Sequence, residues 1–332
     1  MQSLDDIKNI TVNKTIVAFL LLTIFGCRTT QKLNSVDYST SKVAEAIPFA
    51  QGIISTEQNS EFAIMFSPNG LKAYFSRRVP NQKQKIYETD FENGKWSNPQ
   101  VCNFSTDRDE EPSITPNGEL LFFGSERPIP DKPNQGNFDM NIWMMKRMGN
   151  DWSEPKPLPF PINDVQIKGE EWPSSHNNFL FPIDNETFYF TTMIRGTKAV
   201  KLYETKYINE EFTKPIEISG FFDDAKYWIY SAVVSPDGKY LVFNSFGAPG
   251  GLGGEDIFIS KRTKSGWSKA VTIGNKVNSK DEEAGPRFSR DGKYFFFTRA
   301  KNLGNDEYGE WDIFYIETKY LNFETFLAHL PD

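Results

Sequence analysis

The stretch SPDGKYLVFNS at residues 235–245 is a tight turn followed by an aromatic strand. Four near copies recur along the chain: SPNGLKAYFSR from Ser67, TPNGELLFFGS from Thr115, PIDNETFYFTT from Pro182 and SRDGKYFFFTR from Ser289. Each turn position holds Gly or Asn, which tolerate the positive φ of a tight hairpin. These positions are Gly70, Gly118, Asn185, Gly238 and Gly292, and a phenylalanine follows each of them after five residues. The stretch is therefore one copy of a structural repeat.

The length of the repeat predicts the architecture. Successive turn positions lie 48, 67, 53 and 54 residues apart, with strand periodicity and no helical periodicity between them. Repeats of this length are typical of β-propellers, in which one repeat forms one four-stranded blade. The third strand is predicted at an apolar and aromatic pair: Ile86-Tyr87, Ile142-Trp143, Leu202-Tyr203, Ile257-Phe258 and Ile313-Phe314. The fourth is predicted to open at an aromatic residue: Trp96, Trp152, Phe212, Trp267 and Phe323.

The two ends of the chain are predicted to close the ring. The segment AIPFAQGIISTEQNSEFAIMFSPNG from Ala46 matches AVTIGNKVNSKDEEAGPRFSRDG from Ala270. The fifth repeat ends soon after Phe323, so the N-terminal segment is expected to supply the missing outer strand. The predicted fold class is all-β, a five-bladed β-propeller whose last blade is completed by an N-terminal strand. A sixth blade stays open as an alternative, because the third repeat is the most divergent.

The repeats resemble the WD40-like, or PD40, repeats of TolB-like propellers. The resemblance is carried by SPDGKYLVF at 235, GGLGGEDIFIS from Gly250, GWSKAVTIGNKVNSKDEEAGPRFSRDGKYFFFTR from Gly266 and RDEEPSITPNGELLFFGSERP from Arg108. It covers about residues 46–326 and implies a protein of the Gram-negative cell envelope. The TolB propeller has six blades, so a count of five is a departure from that family.

The N-terminus carries a separate signal. An apolar run at residues 15–26 is too short to span a membrane as a helix, and it ends in IFGC. IFGC resembles the lipobox of bacterial lipoproteins, which implies a signal peptide at 1–26, a lipidated Cys27 with a flexible tether at 27–45, and a propeller at 46–332. We expect attachment to the outer membrane, facing the periplasm. A plain secretory signal or a short uncleaved anchor stays open.

The composition bears on the choice of partners and cofactors. The net charge of −7 argues against sequence-independent binding of nucleic acid, which needs an excess of Lys and Arg. We expect a monomer that contacts the membrane through its lipid only. No cofactor is predicted, although clustered carboxylates leave a weak structural calcium site open. The GGLGG sequence at Gly250 does not open a helix after a strand, so it indicates a flexible loop and not a phosphate site.

One face of the predicted propeller carries the long loops and many charged residues. The loops between blades are acidic, and four of the five second strands are followed by arginine. The predicted binding face comprises Glu61, Arg77, Asp109, Glu110, Glu111, Arg127, Glu170, Glu171, Arg195, Tyr230, Glu282, Glu283, Arg287 and Arg299. Two interpretations stay open and are compatible: repeated ion pairs that tie the blades together, and a charged ring that binds a ligand or partner.

Two functions fit this pattern. The predicted anchor and rigid scaffold favour a binding or scaffolding module for another envelope protein, or for peptidoglycan or another glycan component. The alternative is a carbohydrate-active enzyme, because glycoside hydrolases occur on five-bladed propellers and use paired carboxylates. The candidate acids for that reaction are Glu61, Glu111, Glu171 and Glu283. Repeated acids at equivalent positions are more typical of architecture, and the fold alone does not decide the function.

Overall fold

The five repeats form five antiparallel sheets, which are the blades of a propeller. The structure is a computed structural model that describes residues 35–130, 140–163, 179–193, 200–223, 226–305, 307–328 and 330. Several predicted features lie outside these residues: the signal segment 1–26, Cys27, Glu170, Glu171 and Arg195. Among the described residues, no helix is long and apolar enough to cross a bilayer.

Each blade is built almost entirely from consecutive strands. The chain begins with β1 (Ile47–Pro48), which belongs to the fifth blade. Blade 1 contains β2 (Ser60–Phe66), β3 (Lys72–Arg78), β4 (Lys85–Glu92), β5 (Lys95–Trp96) and β6 (Gln100–Val101). Blade 2 contains β7 (Asp109–Ile114), β8 (Leu120–Ser125), β9 (Asn141–Met148), β10 (Asp151–Trp152) and β11 (Lys156–Pro157). Blade 3 contains β12 (Leu180–Pro182), β13 (Thr187–Met193), β14 (Val200–Ile208), β15 (Glu211–Phe212) and β16 (Ile216–Ile218). Blade 4 contains β17 (Tyr230–Val234), β18 (Tyr240–Phe246), β19 (Glu255–Thr263), β20 (Gly266–Trp267) and β21 (Val271–Thr272). Blade 5 contains β22 (Glu282–Phe288), β23 (Tyr294–Gly304) and β24 (Glu307–Glu317), together with β1.

Strand β1 closes the ring by pairing with β24 at the outer edge of blade 5. Ile47 lies opposite Tyr315, and the Phe49 N–H donates a hydrogen bond of 2.7 Å to the Ile313 carbonyl. The Phe49 ring is 1% exposed and lies 4.9 Å from the ring of Phe296, centroid to centroid. The predicted closure by an N-terminal strand is confirmed.

The prediction that Phe323 opens the outer strand of blade 5 is wrong. After β24 the chain forms a 3-10 turn at Thr318–Tyr320 and a short helix, α1, at Phe323–Leu327. Strand β1 takes the place on β24 that β6 takes on β4. Blade 5 has no counterpart of β5 among the described residues, because the chain leaves the sheet at the 3-10 turn. Phe323 instead packs beside Tyr240 of blade 4, with ring centroids 5.2 Å apart.

The turns behave as predicted in four of the five repeats, and the phenylalanines that follow them are buried in all five. Four turn glycines have φ between 72° and 77°: Gly70, Gly118, Gly238 and Gly292. Asn185 does not adopt a positive φ. In the other four repeats a Ser or Thr hydroxyl at the start of the turn accepts the N–H of the fifth residue after it. Pro182 holds that position in the third repeat, and the Asp184 carboxylate accepts the N–H groups of both Glu186 and Thr187. The five phenylalanines are each at most 1% exposed: Phe75, Phe123, Phe190, Phe243 and Phe297. The interior of the propeller therefore consists largely of aromatic rings between blades.

Residues 35–43, which the sequence assigns to the tether, contact the propeller. Tyr38 packs between blades 5 and 1, and its hydroxyl donates to the Gly70 carbonyl over 2.8 Å. Asp37 pairs with Lys293 in the turn of blade 5, and the buried Val43 N–H donates to a Glu317 carboxylate oxygen. The packed part of the chain thus begins before residue 46, on the side of the ring that carries the short turns.

Replacing Phe49 by alanine tests the closure of the ring. We expect Phe49→Ala to lower the free energy of unfolding by about 3–5 kcal/mol, because it leaves a cavity where β1 packs on blade 5. Denaturant unfolding followed by circular dichroism measures this change. The control is Phe246→Ala, at a residue that is 59% exposed, for which we expect a change of about 0.5 kcal/mol or less. Equal stability of the two variants would contradict the closure by β1.

Candidate functional site

Five inner strands surround the centre of the propeller. Strands β2, β7, β12, β17 and β22 contact one another in this order, and β22 contacts β2 again. Four of them contain a bulge at a residue with positive φ: Ala63, Glu111, Ser231 and Gly285. A bulge inserts one extra residue and re-aims the side chains around it. The bulges therefore decide which inner-strand side chains point into the channel.

The loops between blades and the loops after the second strands share one face, as predicted. Glu282, which follows the loop into blade 5, accepts hydrogen bonds from the N–H groups of Gly254 and Glu255 in the loop after β18. The Asn302 N–H, in the β23–β24 hairpin, donates to Asp281 over 3.1 Å. These bonds join the long loops of blades 4 and 5 into one connected surface, which we call the loop-rich face.

A buried ion pair anchors the loop ahead of blade 1. The Glu61 carboxylate is 0% exposed and accepts bonds from Arg77 Nε at 2.8 Å and from Thr56 N and Oγ1 at 3.0 and 2.8 Å. Arg77 Nη2 donates to the carbonyls of Ile53 and Ile54 in the same loop. Burial raises the pKa of Glu61 to about 7, while the bonds from Thr56 and the charge of Arg77 act in the opposite direction. The pair fixes the course of the loop from inside the protein.

The same pair recurs in blades 2 and 5. Arg127 Nη2 lies 3.0 Å from Asp109, and Arg299 Nε lies 2.8 Å from Glu283, with the carboxylates again fully buried. Each guanidinium also lies over aromatic rings of its own blade, at 4.9–5.3 Å from the centroids. Recurrent structural ion pairs are thus found in these three blades, but both members of each pair belong to one blade, so the pair fixes the loop that leads into that blade and does not join two blades. In blade 4 the counterpart of the arginine is Ser245.

Glu111 is not the counterpart of Glu61 and Glu283, so the predicted equivalence of these acids is wrong. Asp109 fills that position in blade 2, and Glu111 lies two residues later, at the bulge with φ of 54°. The spacing to the turn already gives Asp109, because Glu61, Asp109 and Glu283 each precede their turn glycine by nine residues, whereas Glu111 precedes Gly118 by seven. Glu111 was expected to be equivalent because it shares its residue type with the other two acids. These carboxylates consequently do not converge on one point.

Glu111 instead forms an ion pair across the channel. Its Oε2 lies 2.6 Å from Nη2 of Arg287, which belongs to blade 5, and blades 2 and 5 are not neighbours in the ring. Arg287 is 1% exposed, and its guanidinium lies 4.6 Å from the ring centroid of Phe179 in blade 3. Burial raises the pKa of Glu111, and the charge of Arg287 opposes this effect. Three blades therefore meet at one buried arginine, which fills the channel at this level.

Glu255 is a site residue that the sequence did not indicate. Burial raises the pKa of its carboxyl to about 7, and the nearby charges of Glu282 and Glu111 act in the same direction. The Asn244 side-chain amide donates to this carboxyl and opposes the shift. Burial, and the charge of Glu255, also raise the pKa of the predicted site residue Tyr230. The Glu255 carboxyl thus changes charge near neutral pH. The sequence did not indicate the raised pKa of Glu255, because this residue directly follows GGLGG, a segment that was predicted to be a loop.

The GGLGG loop is closely packed, so the expectation of a flexible loop is corrected. A Cβ atom at Gly251 would lie 2.4 Å from Asp256 Oδ2, and one at Gly254 would lie 2.4 Å from Glu282 Oε1. At Gly253 the distance to the Asp281 carbonyl oxygen would be 2.0 Å. The glycines are needed here because they allow the loop to lie directly against blade 5.

Seven of the eleven predicted binding residues that the structure describes are buried beneath the loop-rich face. The exposure of these seven is at most 9%: Glu61, Arg77, Asp109, Glu110, Glu282, Glu283 and Arg287. Among the described residues, no group of three or more His, Cys, Asp or Glu is placed to hold a metal ion. The outer surface of this face is formed by other residues.

Four of the eleven exposed large apolar side chains of the described residues lie at the loops of blades 4 and 5. Phe246 is the last residue of β18 and is 59% exposed, and Leu252 in the loop that follows is 55% exposed. In the β23–β24 hairpin, Leu303 and Tyr308 are 57% and 38% exposed. Strands β23 and β24 contain 11 residues each, whereas the second and third strands of the other blades contain six to nine. The hairpin therefore projects beyond the loop-rich face.

The fold and this face define a five-bladed β-propeller with a channel that is filled by an ion pair. No family model matches the chain, and no curated protein matches it. The structure of a BT0996 RGII complex matches 82% of this chain and 92% of its own length, with 11% identity and a TM-score of 0.51. TolB from Acinetobacter baumannii matches over 79% of this chain with 17% identity and a TM-score of 0.48. This chain covers 53% of TolB, about half of its length. A thermostable family-43 glycoside hydrolase matches over 79% of this chain and 90% of its own, with 14% identity and a TM-score of 0.45. At these identities the likeness concerns the fold alone.

Removal of Arg77 tests the structural role of the buried pairs. We expect Arg77→Ala to lower the free energy of unfolding by about 3–5 kcal/mol, because it leaves the Glu61 carboxylate buried without its cation. Thermal and denaturant unfolding provide the measurement. The neighbouring Arg78 is the matched control, because its side chain is 49% exposed and lies 4.0 Å from Glu310. Arg78→Ala should cost about 1 kcal/mol or less, and equal losses in the two variants would refute the anchoring role.

Proposed function

We propose that this chain is a cell-envelope lipoprotein whose propeller binds a protein partner through the loop-rich face of blades 4 and 5. The observation that carries the proposal is the group of exposed apolar residues on two adjacent loops: Phe246, Leu252, Leu303 and Tyr308. Exposed apolar side chains on neighbouring loops that are joined to each other are typical of an interaction site. Aromatic and aliphatic side chains of this kind supply much of the binding energy in protein interfaces.

The two loops are held in place before any partner arrives. Glu282 accepts bonds from the N–H groups of Gly254 and Glu255, and it interacts with the Tyr308 side chain of the hairpin. A preorganised surface loses less conformational entropy on binding, which favours affinity. Exposed acidic residues such as Glu307 and Glu310 flank the apolar group. This pattern fits a partner with an apolar centre and a basic rim.

The envelope location rests on the N-terminal sequence. Residues 15–27 resemble a lipoprotein signal with Cys27 as the lipidated residue. Ala44 and Glu45 bind Lys276 in the loop between blades 4 and 5. The preceding residues Asp37 and Tyr38 contact the short turns at Lys293 and Gly70, on the side of the ring opposite the loop-rich face. An anchor that starts from that side is compatible with a partner on the opposite face.

Lipidation is tested by metabolic labelling with radioactive palmitate. We expect the full-length protein to incorporate label and the Cys27→Ser variant to incorporate none, because the thioether carrying the lipid cannot form on serine. The Cys102→Ser variant is the control, since Cys102 is buried and far from the leader in the sequence. Label that persists in Cys27→Ser would remove the lipoprotein assignment.

The alternative of glycoside hydrolysis has less support from the site. Glu61 and Glu283 are fully buried and accept hydrogen bonds from arginine and from loop residues, and Glu111 is paired with Arg287. The fourth candidate, Glu171, lies outside the described residues. Retaining and inverting hydrolases need two carboxyl groups that face a sugar between them. The three described acids are committed to other bonds, so we favour binding.

Partner capture tests the binding face. Tagged full-length protein is cross-linked in cells, purified, and compared with a Leu252→Asp, Leu303→Asp double variant. We expect a specific protein to be recovered with the parent and its yield to fall at least about ten-fold with the double variant, because two buried apolar contacts contribute more than 1.4 kcal/mol. Quantitative mass spectrometry of the purified material gives the yield.

The control for this experiment is Ile216→Asp. Ile216 is 68% exposed but lies on β16 at the outer edge of blade 3, away from the loop-rich face. It should leave recovery unchanged. A protein recovered equally with all three forms would contradict the assignment of the face. Sedimentation with purified peptidoglycan that is lost in the double variant alone would assign the face to a glycan component instead.

A further inference from the structure

The chain fills one of its own inter-blade grooves with a tyrosine. The Tyr38 ring lies between blades 5 and 1, stacked on Phe66 at 5.1 Å between centroids with an 18° angle between the planes. The rings of Phe91 and Trp96 each lie 5.5 Å away, and the Tyr38 hydroxyl donates to the Gly70 carbonyl. An extended segment of chain with one tyrosine therefore satisfies this groove.

The groove between blades 1 and 2 is the next copy of the same structure. Trp96 pairs with Phe91 across β4 and β5, and Trp152 pairs with Arg147 across β9 and β10, so these two pairs are equivalent. The remaining lining residues correspond in the same way, since strand register and turn position relate them. Phe66 corresponds to Ile114, Phe49 to Cys102, Phe296 to Tyr74, Tyr315 to Glu88, and Gly70 to Gly118.

This second groove contains open space, although Pro68 lies beside Gly118 where Val36 and Tyr38 lie beside Gly70. It encloses a cavity of about 600 Å³, which is within the usual range of about 300–1,000 Å³ for ligand sites. Its floor contains the buried Ile114 and Cys102, and one wall is formed by Arg147, whose guanidinium lies 4.9 Å from the Trp152 ring centroid. No described residue donates a hydrogen bond to the carbonyl of Gly118, the counterpart of the carbonyl that Tyr38 uses.

Other junctions in the ring are filled from within the chain. Between blades 4 and 5, Phe323 of α1 packs against Tyr240 and Phe288. Between blades 2 and 3, the rings of Phe122 and Phe188 lie 5.2 Å apart. The groove between blades 1 and 2 thus shares its register with the Tyr38 groove, and Trp152 and Tyr74 keep aromatic rings there. The counterparts of Phe91 and Tyr294 are Arg147 and Lys72, cations that favour contact with the face of an inserted ring.

We propose that the groove between blades 1 and 2 binds an extended peptide segment of another protein, which inserts a tyrosine side chain as residues 36–38 do next to it. The ring would lie beside Trp152 and Tyr74, and its hydroxyl would donate to the Gly118 carbonyl. In the bound peptide, the residue before the tyrosine would differ from Asp37, which precedes Tyr38 in this chain. Asp37 pairs with Lys293, whose counterpart is Leu71, 44% exposed, so an apolar residue fits this position.

This inference is independent of the proposed function. The groove is lined by the short turns at Gly118 and Gly149, on the side of the ring opposite the loop-rich face. A partner that is bound by the apolar loops of blades 4 and 5 would leave it accessible, and failure of either proposal leaves the other intact.

A labelled peptide tests the groove directly. The probe is a fluorescent peptide with the sequence of residues 34–43 in which Asp37 is replaced by leucine, titrated with full-length protein and followed by anisotropy. We expect a Kd of about 10–100 μM, and at least about a ten-fold weaker Kd for the same peptide with Tyr38→Ala, because the ring supplies the main buried contact. Weak affinity is reasonable for one inserted side chain.

Two protein variants locate the binding. Asn103 is exposed and lines the groove, so Asn103→Trp should fill it and abolish binding without a change in the core. Asn98→Trp, at an exposed residue outside the groove, should bind like the parent. Circular dichroism must show the same melting temperature for both variants.

Three results would overturn the proposal. The first is no binding at about 1 mM peptide, and the second is binding that Asn103→Trp leaves unchanged. The third is a dimer of the full-length protein, seen by analytical ultracentrifugation, that Tyr38→Ala or Asn103→Trp dissociates. That result would assign the groove to the N-terminal segment of a second copy and not to another protein.

Discussion

The burial of aromatic rings between neighbouring sheets is the interaction on which this structure depends. A blade has two apolar faces and can bury them only against the blades on either side. The repeated phenylalanine after each turn supplies this contact, and in most blades it stacks on an aromatic residue of the third strand, as Phe75 does on Tyr87 and Phe297 on Phe314. Because every blade carries this phenylalanine at the same buried position, the packing surfaces recur from blade to blade, and the five blades close into a ring.

The ring that results has a narrow centre that must be filled without leaving charges unsatisfied. Arg287 reaches across it to Glu111 and lies against Phe179, so side chains from three blades share one position. Further out, the pairs formed by Glu61, Asp109 and Glu283 with their arginines use buried charge to fix the loops that lead into the blades. The charged residues of these pairs thus lie inside the ring, whereas the exposed side chains at the loops of blades 4 and 5 include apolar residues.

Much of this fold could be predicted because the same turn and strand pattern recurs along the sequence. The turn residues, the phenylalanine five residues later and the match between Ala46 and Ala270 recur in register, so the blade count and the closure follow from spacing. The ion pairs of Arg77 and Arg299 also follow from residue type and repetition. Other features depend on direction and space, which spacing does not encode. Glu111 resembles Glu61 and Glu283 in residue type, although the spacing to the turn points to Asp109. Phe323 matches the aromatic residue that opens a strand in the other repeats, but in blade 5 the chain leaves the sheet at the 3-10 turn that begins at Thr318. Tyr38, a single aromatic residue in a polar segment, gave no periodic signal.

Blade 5 is the only blade of the described chain that contains strands from both ends, and this sets the order in which the protein can be completed. The partner of Ile47 is Tyr315, near the other end of the chain, and Tyr38 also needs rings of blade 5. During synthesis the N-terminal strand therefore emerges first and finds its place last. Blades 1 to 4 can stack as each one is finished, but the ring stays open, with an unpaired edge at β24, until the final strands are made. Closure is then a single contact between residues far apart in sequence, the kind of step that slows folding and that assistance during synthesis would help most.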